Sequence, residues 1–242
     1  MMEIFWDTIG NYNASTWIFQ ILIIGVGIWL TARLYRNPTE GTKKAMKIFM
    51  SFLNFWIAVV YYLKYCSSRN YYYIFAFFWG VMGCIWLYDL VEENYHFERS
   101  YKYDKISFFL YSVPFIYPVI SLWRGMHFPV MTSPVMPCTV IVFTIGLLMS
   151  FSKKINLFLV LFLFHWALLG ISKIYLYKIP EDILLTICTV PAVFLYLKEY
   201  INTSLYISSK PGVRTINILL LTTCCIIGCV FSYVIFKSFG VF

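Results

Sequence analysis

The residues best suited to chemistry gather in one stretch, Tyr117 to Gly146. It contains Tyr117, Arg124, His127 and Cys138 among the prolines Pro118, Pro129, Pro134 and Pro137. Cys138 follows a proline at an expected helix start, a setting that lowers a thiol pKa. Thiolate and imidazole together suit a soft divalent metal, so His127 and Cys138 form a candidate pair of metal ligands. The same Cys138 read as a small residue packed at a tight loop needs no metal, and no Cys-x-x-Cys or His-x-x-x-His spacing accompanies it.

Other candidates lie outside this stretch. His165 falls in the middle of an apolar segment, where an ionisable group is costly and faces a cavity or a partner. Glu181 and Asp182 follow Pro180, where carboxylates serve as ligands or as caps on a helix dipole. Tyr12 and Asn13 precede the first long apolar run. Together with Tyr117, Arg124, His127 and His165, these four residues make a candidate substrate-binding set. No Gly-x-Ser-x-Gly or His-Glu-x-x-His signature is present, and no catalytic residue is assigned.

The elements that must position these side chains are membrane helices. Hydrophobic residues form 61% of the 242-residue chain and charged residues 12%, about half the charged share of a soluble domain. Mean hydropathy is +0.74. The expected fold class is all-α: a single polytopic transmembrane helix bundle with the lipid bilayer as its main partner. Eight segments approach the roughly 20 apolar residues a span needs: 17–35, 45–66, 71–91, 106–123, 134–152, 155–175, 182–200 and 214–236. Pro114 and Pro118 should kink or break the fourth. Asn54 in the second should find a partner in the bundle. A polar linker, ENYHFERSYKYDK, should follow the third span, and a tight turn at Lys153-Lys154 the fifth.

The net charge of +8 comes from Lys and Arg spread through short loops, the positive-inside pattern and not a nucleic-acid footprint. Alternate connections hold thirteen and six of these residues, which places the richer set in the cytoplasm and the N-terminus outside. Glu3 and Asp7 stand where a signal peptide would be basic, so no cleaved leader is expected. Most of the seven cysteines fall in apolar segments and form no disulfide framework. On this topology the helices numbered one, five and seven begin on the outer face, where free N–H groups carry partial positive charge. The kinked fourth helix beside them would shape an outward-facing cavity.

Several of these residues also carry a resemblance. Tyr12, Asn13, Ala14, Trp17 and Gln20 match a Tyr-Asn-Ala-x-x-Trp-x-x-Gln opening. Tyr117, Pro118, Gly125, His127, Pro129, Pro137 and Cys138 match a Tyr-Pro stretch, a Gly-x-His-x-Pro segment and a Pro-Cys helix start. Phe143, Gly146, Trp166, Gly170 and Pro180-Glu181-Asp182 follow the same pattern. The chain resembles an uncharacterised family of bacterial multi-pass membrane proteins over roughly residues 5–200. It departs in having Thr139 where a second proline follows the cysteine. The resemblance implies a multi-pass protein of the bacterial inner membrane and brings no known activity. The sequence thus favours a carrier or channel for a small solute or ion. A membrane enzyme using Cys138 or His127, or a ligand-binding receptor or assembly subunit, stands as the alternative. A homo-oligomer or a membrane partner is compatible with each.

Overall fold

The computed structural model describes residues 2–69, 72–92, 98–151 and 157–204, with scattered positions beyond. All regular structure among the described residues is helical: α1 Met2–Arg36, α2 Glu40–Trp56, α3 Tyr72–Glu92, α4 Asp104–Trp123, α5 Pro137–Phe151, α6 Leu157–Tyr177 and α7 Asp182–Ser204. α2 runs on into a π-helical segment, Ile57–Tyr65. The chain forms two compact units, residues 1–153 and 154–242.

Among the described residues, four helices are long and apolar enough to cross a membrane: Glu3–Arg36, Glu40–Tyr65, Tyr72–Val91 and Asp104–Trp123. α5 and the first half of α7 are apolar but shorter. The exposed surface supports the membrane assignment. In α1 the side chains of Trp17, Ile18, Phe19, Ile21, Leu22, Ile28 and Trp29 point outward, while Asn13, Thr16 and Gln20 are buried. Contiguous exposed apolar surface of this kind needs a non-aqueous neighbour.

α1 begins at Met2, not at Trp17 as the sequence suggests. The Tyr-Asn-Ala-Ser stretch reads as a helix cap, yet its polar groups are satisfied in ways that let the helix continue. Thr16 donates to the Tyr12 carbonyl within the helix, and the Tyr12 and Asn13 side chains bond a distant loop. At roughly 50 Å, α1 exceeds the 30 Å hydrocarbon core. α2 starts where Thr39 caps it, the Thr42 N–H donating to Thr39 Oγ1. Pro114 and Pro118 lie inside a continuous α4 and do not break it. In a membrane bundle, neighbouring groups can re-satisfy the backbone that proline frees.

α4 ends in a Schellman motif. Met126 N–H donates to the Ser121 carbonyl and Gly125 N–H to that of Leu122. Gly125 supplies the left-handed φ of 81° that this cap requires. Residues 134–136, expected in the fifth span, are loop, and α5 opens at Pro137, a first-turn position where the missing N–H costs nothing.

Two polar locks hold the first unit. At the Arg36 end of α1, the Arg99 guanidinium grips Asp104 with both arms, at 2.6 and 2.8 Å. It also donates to the Ser150 carbonyl and lies over the Tyr35 and Phe151 rings. Tyr35 Oη and Ser150 Oγ are 2.6 Å apart, so α1, α4 and α5 meet there. Between α2 and α3, Lys47 Nζ lies 2.7 Å from Asp89 Oδ2, both side chains being almost wholly buried. Ser51 donates to the Gly83 carbonyl in the same interface, and a Cβ on Gly83 would stand 2.9 Å from the Phe55 ring.

Asn54, expected to bond across the bundle, donates among the described residues to the Met50 carbonyl on its own helix. Of the expected eighth span, only Thr222, Ile226, Cys229, Val230 and Tyr233 are described, each helical. The Lys153-Lys154 turn and residues 93–97 of the polar linker lie outside the described residues.

Candidate functional site

The opposite end of the first unit, nearer Tyr12, is organised by α1. Asn13, Thr16 and Gln20 stand three and four residues apart, so they share one helix face. Gln20 Nε2 donates to Thr16 Oγ1 at 2.9 Å and to Asn13 Oδ1 at 3.2 Å. Asn13 Nδ2 in turn donates to the carbonyls of Pro129 and Met131, at 2.8 and 2.7 Å. Tyr12 Oη donates to the Val135 carbonyl at 2.7 Å and accepts from Trp56 Nε1 at 3.0 Å. Its ring packs edge-on against Tyr61 in the π-helical segment. A chain of hydrogen bonds in the apolar bundle thus fastens the proline-rich loop onto α1.

The loop is also pinned to α4. Ser121 Oγ and Thr132 Oγ1 are 2.7 Å apart, and the Thr132 N–H donates to Ser121 Oγ. Thr139 Oγ1 accepts from the Met136 N–H, capping the first turn of α5, and donates back to the Pro134 carbonyl. These bonds satisfy the irregular backbone between α4 and α5, the condition for such backbone at membrane depth.

Between α1, Pro118 of α4 and this loop lies a cavity of about 490 Å³. Its walls include Trp17, Ile21 and Phe128, with Asn13, Gln20, Thr132 and Ser133 as its polar points. Ser133 Oγ is buried and has no hydrogen-bond partner among the described residues. A buried hydroxyl left unpaired is costly. Among the described residues, no charged side chain lines the space.

The predicted site residues divide between the two units. In the first, Asn13 lines the cavity and Tyr12 does not, and both donate to carbonyls of the loop. Tyr117 is buried in α4, whereas Arg124 and His127 are exposed on the loop that follows it. Cys138 is buried in the first turn of α5. No group of three or more His, Cys, Asp or Glu side chains converges among the described residues.

In the second unit, His165 Nδ1 lies 2.6 Å from the Leu161 carbonyl, one turn back in α6. Glu181 and Asp182 are both buried. Asp182 opens α7 and stands 3.8 Å from Lys173 Nζ, which also lies over the Trp166 ring.

Sequence reasoning missed Thr132 and Ser133, which carry no signal beyond lying between prolines. It valued Gln20 only as part of a resemblance, although its spacing from Asn13 and Thr16 already places it on their face. Lys47, close to Lys43 and Lys44 in the sequence, reads there as one more loop charge, and Asp89 carries no signal of its own.

Residues 2–207 match the model of a family described as "Family of unknown function (DUF6064)". No curated protein and no solved structure matches the chain.

Proposed function

The chain belongs to this family of unknown function, DUF6064, and from that premise we propose that it is an integral membrane carrier for a small uncharged solute. The observation that carries the proposal is the cavity beside α1, whose mostly apolar walls are broken by Thr132, Ser133 and the amides of Asn13 and Gln20. Ligand sites are usually of this kind, mostly apolar with a few fixed polar points. Discontinuous or irregular backbone at membrane depth is also where transporters place their substrates. The lack of charged lining favours a neutral solute with one or two hydrogen-bonding groups over an ion.

The proposed orientation puts the N-terminus and this cavity outside. Among the described residues of the first unit, Arg33, Arg36, Lys43, Lys44, Lys47, Arg99, Lys102 and Lys105 lie toward the opposite end, and Lys64, Arg69 and Arg124 toward the cavity end, in line with the positive-inside bias. Eight spans and residence in a bacterial cell membrane belong to the same proposal. The enzyme alternative gains nothing from the geometry, since Cys138 is buried while His127 is exposed.

Uptake of radiolabelled neutral solutes by proteoliposomes tests the carrier. The expected result is saturable uptake of at least one solute class, lost in Ile21→Trp. Ile21 is exposed at the cavity rim, so the larger side chain blocks the space without disturbing the core. Uptake no faster than in protein-free liposomes would overturn the carrier assignment.

A further inference from the structure

A second cavity, of about 440 Å³, lies in the first unit between α1, α2, α4 and α5. On α1 its lining runs from Ile23 to Arg36, about 20 Å of helix, a little more than the depth of one bilayer leaflet. Most of the lining is aliphatic or aromatic, including Ile28, Leu53, Phe115 and Phe143. Polar side chains gather at one end, and most are already engaged. Thr31 donates to the Gly27 carbonyl, and Tyr35 pairs with Ser150.

Arg36 differs from these. It lines the basic end of the cavity, is exposed, and forms no ion pair among the described residues. Arg33 and Lys105 are further cations at the same end, Arg33 lying over the Trp29 ring. The groove therefore has a long apolar track with a cation at its mouth, at the level where the helices leave the membrane.

We propose that this groove holds one acyl chain of an anionic glycerophospholipid, with the lipid phosphate against Arg36. The apolar track fits a hydrocarbon tail, since its polar side chains, Thr31, Tyr35, Tyr111 and Arg36, lie toward the Arg36 end. Arg36 can bond the phosphate oxygens that any glycerophospholipid carries, and the preference for an anionic one comes from net charge, because basic residues at the membrane surface favour anionic lipid. The proposal rests on the membrane assignment and is independent of whether a solute is carried.

The test is native mass spectrometry of the detergent-purified full chain, equilibrated with equal amounts of phosphatidylglycerol and phosphatidylcholine. Wild type is expected to retain one lipid per chain, with about fivefold preference for phosphatidylglycerol from one basic contact. Ala32→Trp fills the groove from an exposed position, and should lose the retained lipid while keeping its melting temperature. Arg36→Gln should keep a retained lipid but show no preference between the two.

Equal retention by wild type and Ala32→Trp would overturn the proposal, as would a preference that survives Arg36→Gln. Retention of a non-lipid molecule in the groove would do the same. Recovery of the wild-type chain in the soluble fraction of cells, without detergent, would instead overturn the membrane assignment itself.

Discussion

Asn13 and Ser133 face the same cavity with opposite energetic roles. Asn13 satisfies two loop carbonyls, so Asn13→Ala leaves both without that donor. A loss of about 1–3 kcal/mol in stability is expected, seen as a lower melting temperature in detergent. The Ser133 hydroxyl has no hydrogen-bond partner among the described residues, so Ser133→Ala should leave stability unchanged or raise it. If Ser133→Ala costs as much as Asn13→Ala, the hydroxyl has a structural partner and is not waiting for a ligand. Gly125 gives a backbone counterpart. An alanine there must adopt φ near 81°, so Gly125→Ala should cost about 1–2 kcal/mol and loosen the loop, measured as faster proteolysis next to His127. At this scale the sequence was half legible. Asn13 and the Pro-Cys turn could be singled out by type and spacing, but the partners of Asn13 are backbone carbonyls of Pro129 and Met131, far along the chain. An orphan serine becomes visible only once the loop has a conformation.

Between elements, the α2–α3 contact turns on Lys47 and Asp89. Both are buried, and removing one partner strands the other's charge. Lys47→Met alone should therefore destabilise by about 3–5 kcal/mol, and Lys47→Met with Asp89→Leu should recover most of that loss. Thermal unfolding of the two variants in the same detergent decides it. A double variant no better than the single would show that the pair has further obligatory partners or a role in function. The helices themselves were largely legible from apolar runs and prolines. Their ends were not, because α1 extends through polar residues whose groups bond a loop, and α2 continues as a π-helical segment. Such extensions depend on tertiary partners, which composition does not reveal. Lys47 illustrates the same gap: in sequence it looks like the last charge of a loop, yet it lies two turns inside α2.

For the whole molecule, charge distribution and lipid-facing surface point the same way. The cations of the first unit crowd at the Arg36 end, and the outward face of α1 is apolar. A protease-cleavable tag at the N-terminus should accordingly be removed from intact cells by external protease. Full protection of the tag, with cleavage only after lysis, would reverse the orientation and place the Ser133 cavity inside. The membrane class was legible from composition alone. The partition of candidate residues was not: the cavity draws on α1, α4 and the loop after it, while His165, Glu181 and Asp182 belong to the second unit. The central claim is that the cavity bounded by Asn13, Gln20 and Ser133 is a binding site, and its most direct measurement is thermal melting of the detergent-purified full chain across a panel of small neutral solutes, wild type beside Ile21→Trp. The expected result is that at least one solute class raises the melting temperature of wild type and leaves Ile21→Trp unmoved. Solutes that stabilise both proteins equally, or none that stabilises wild type, would contradict it.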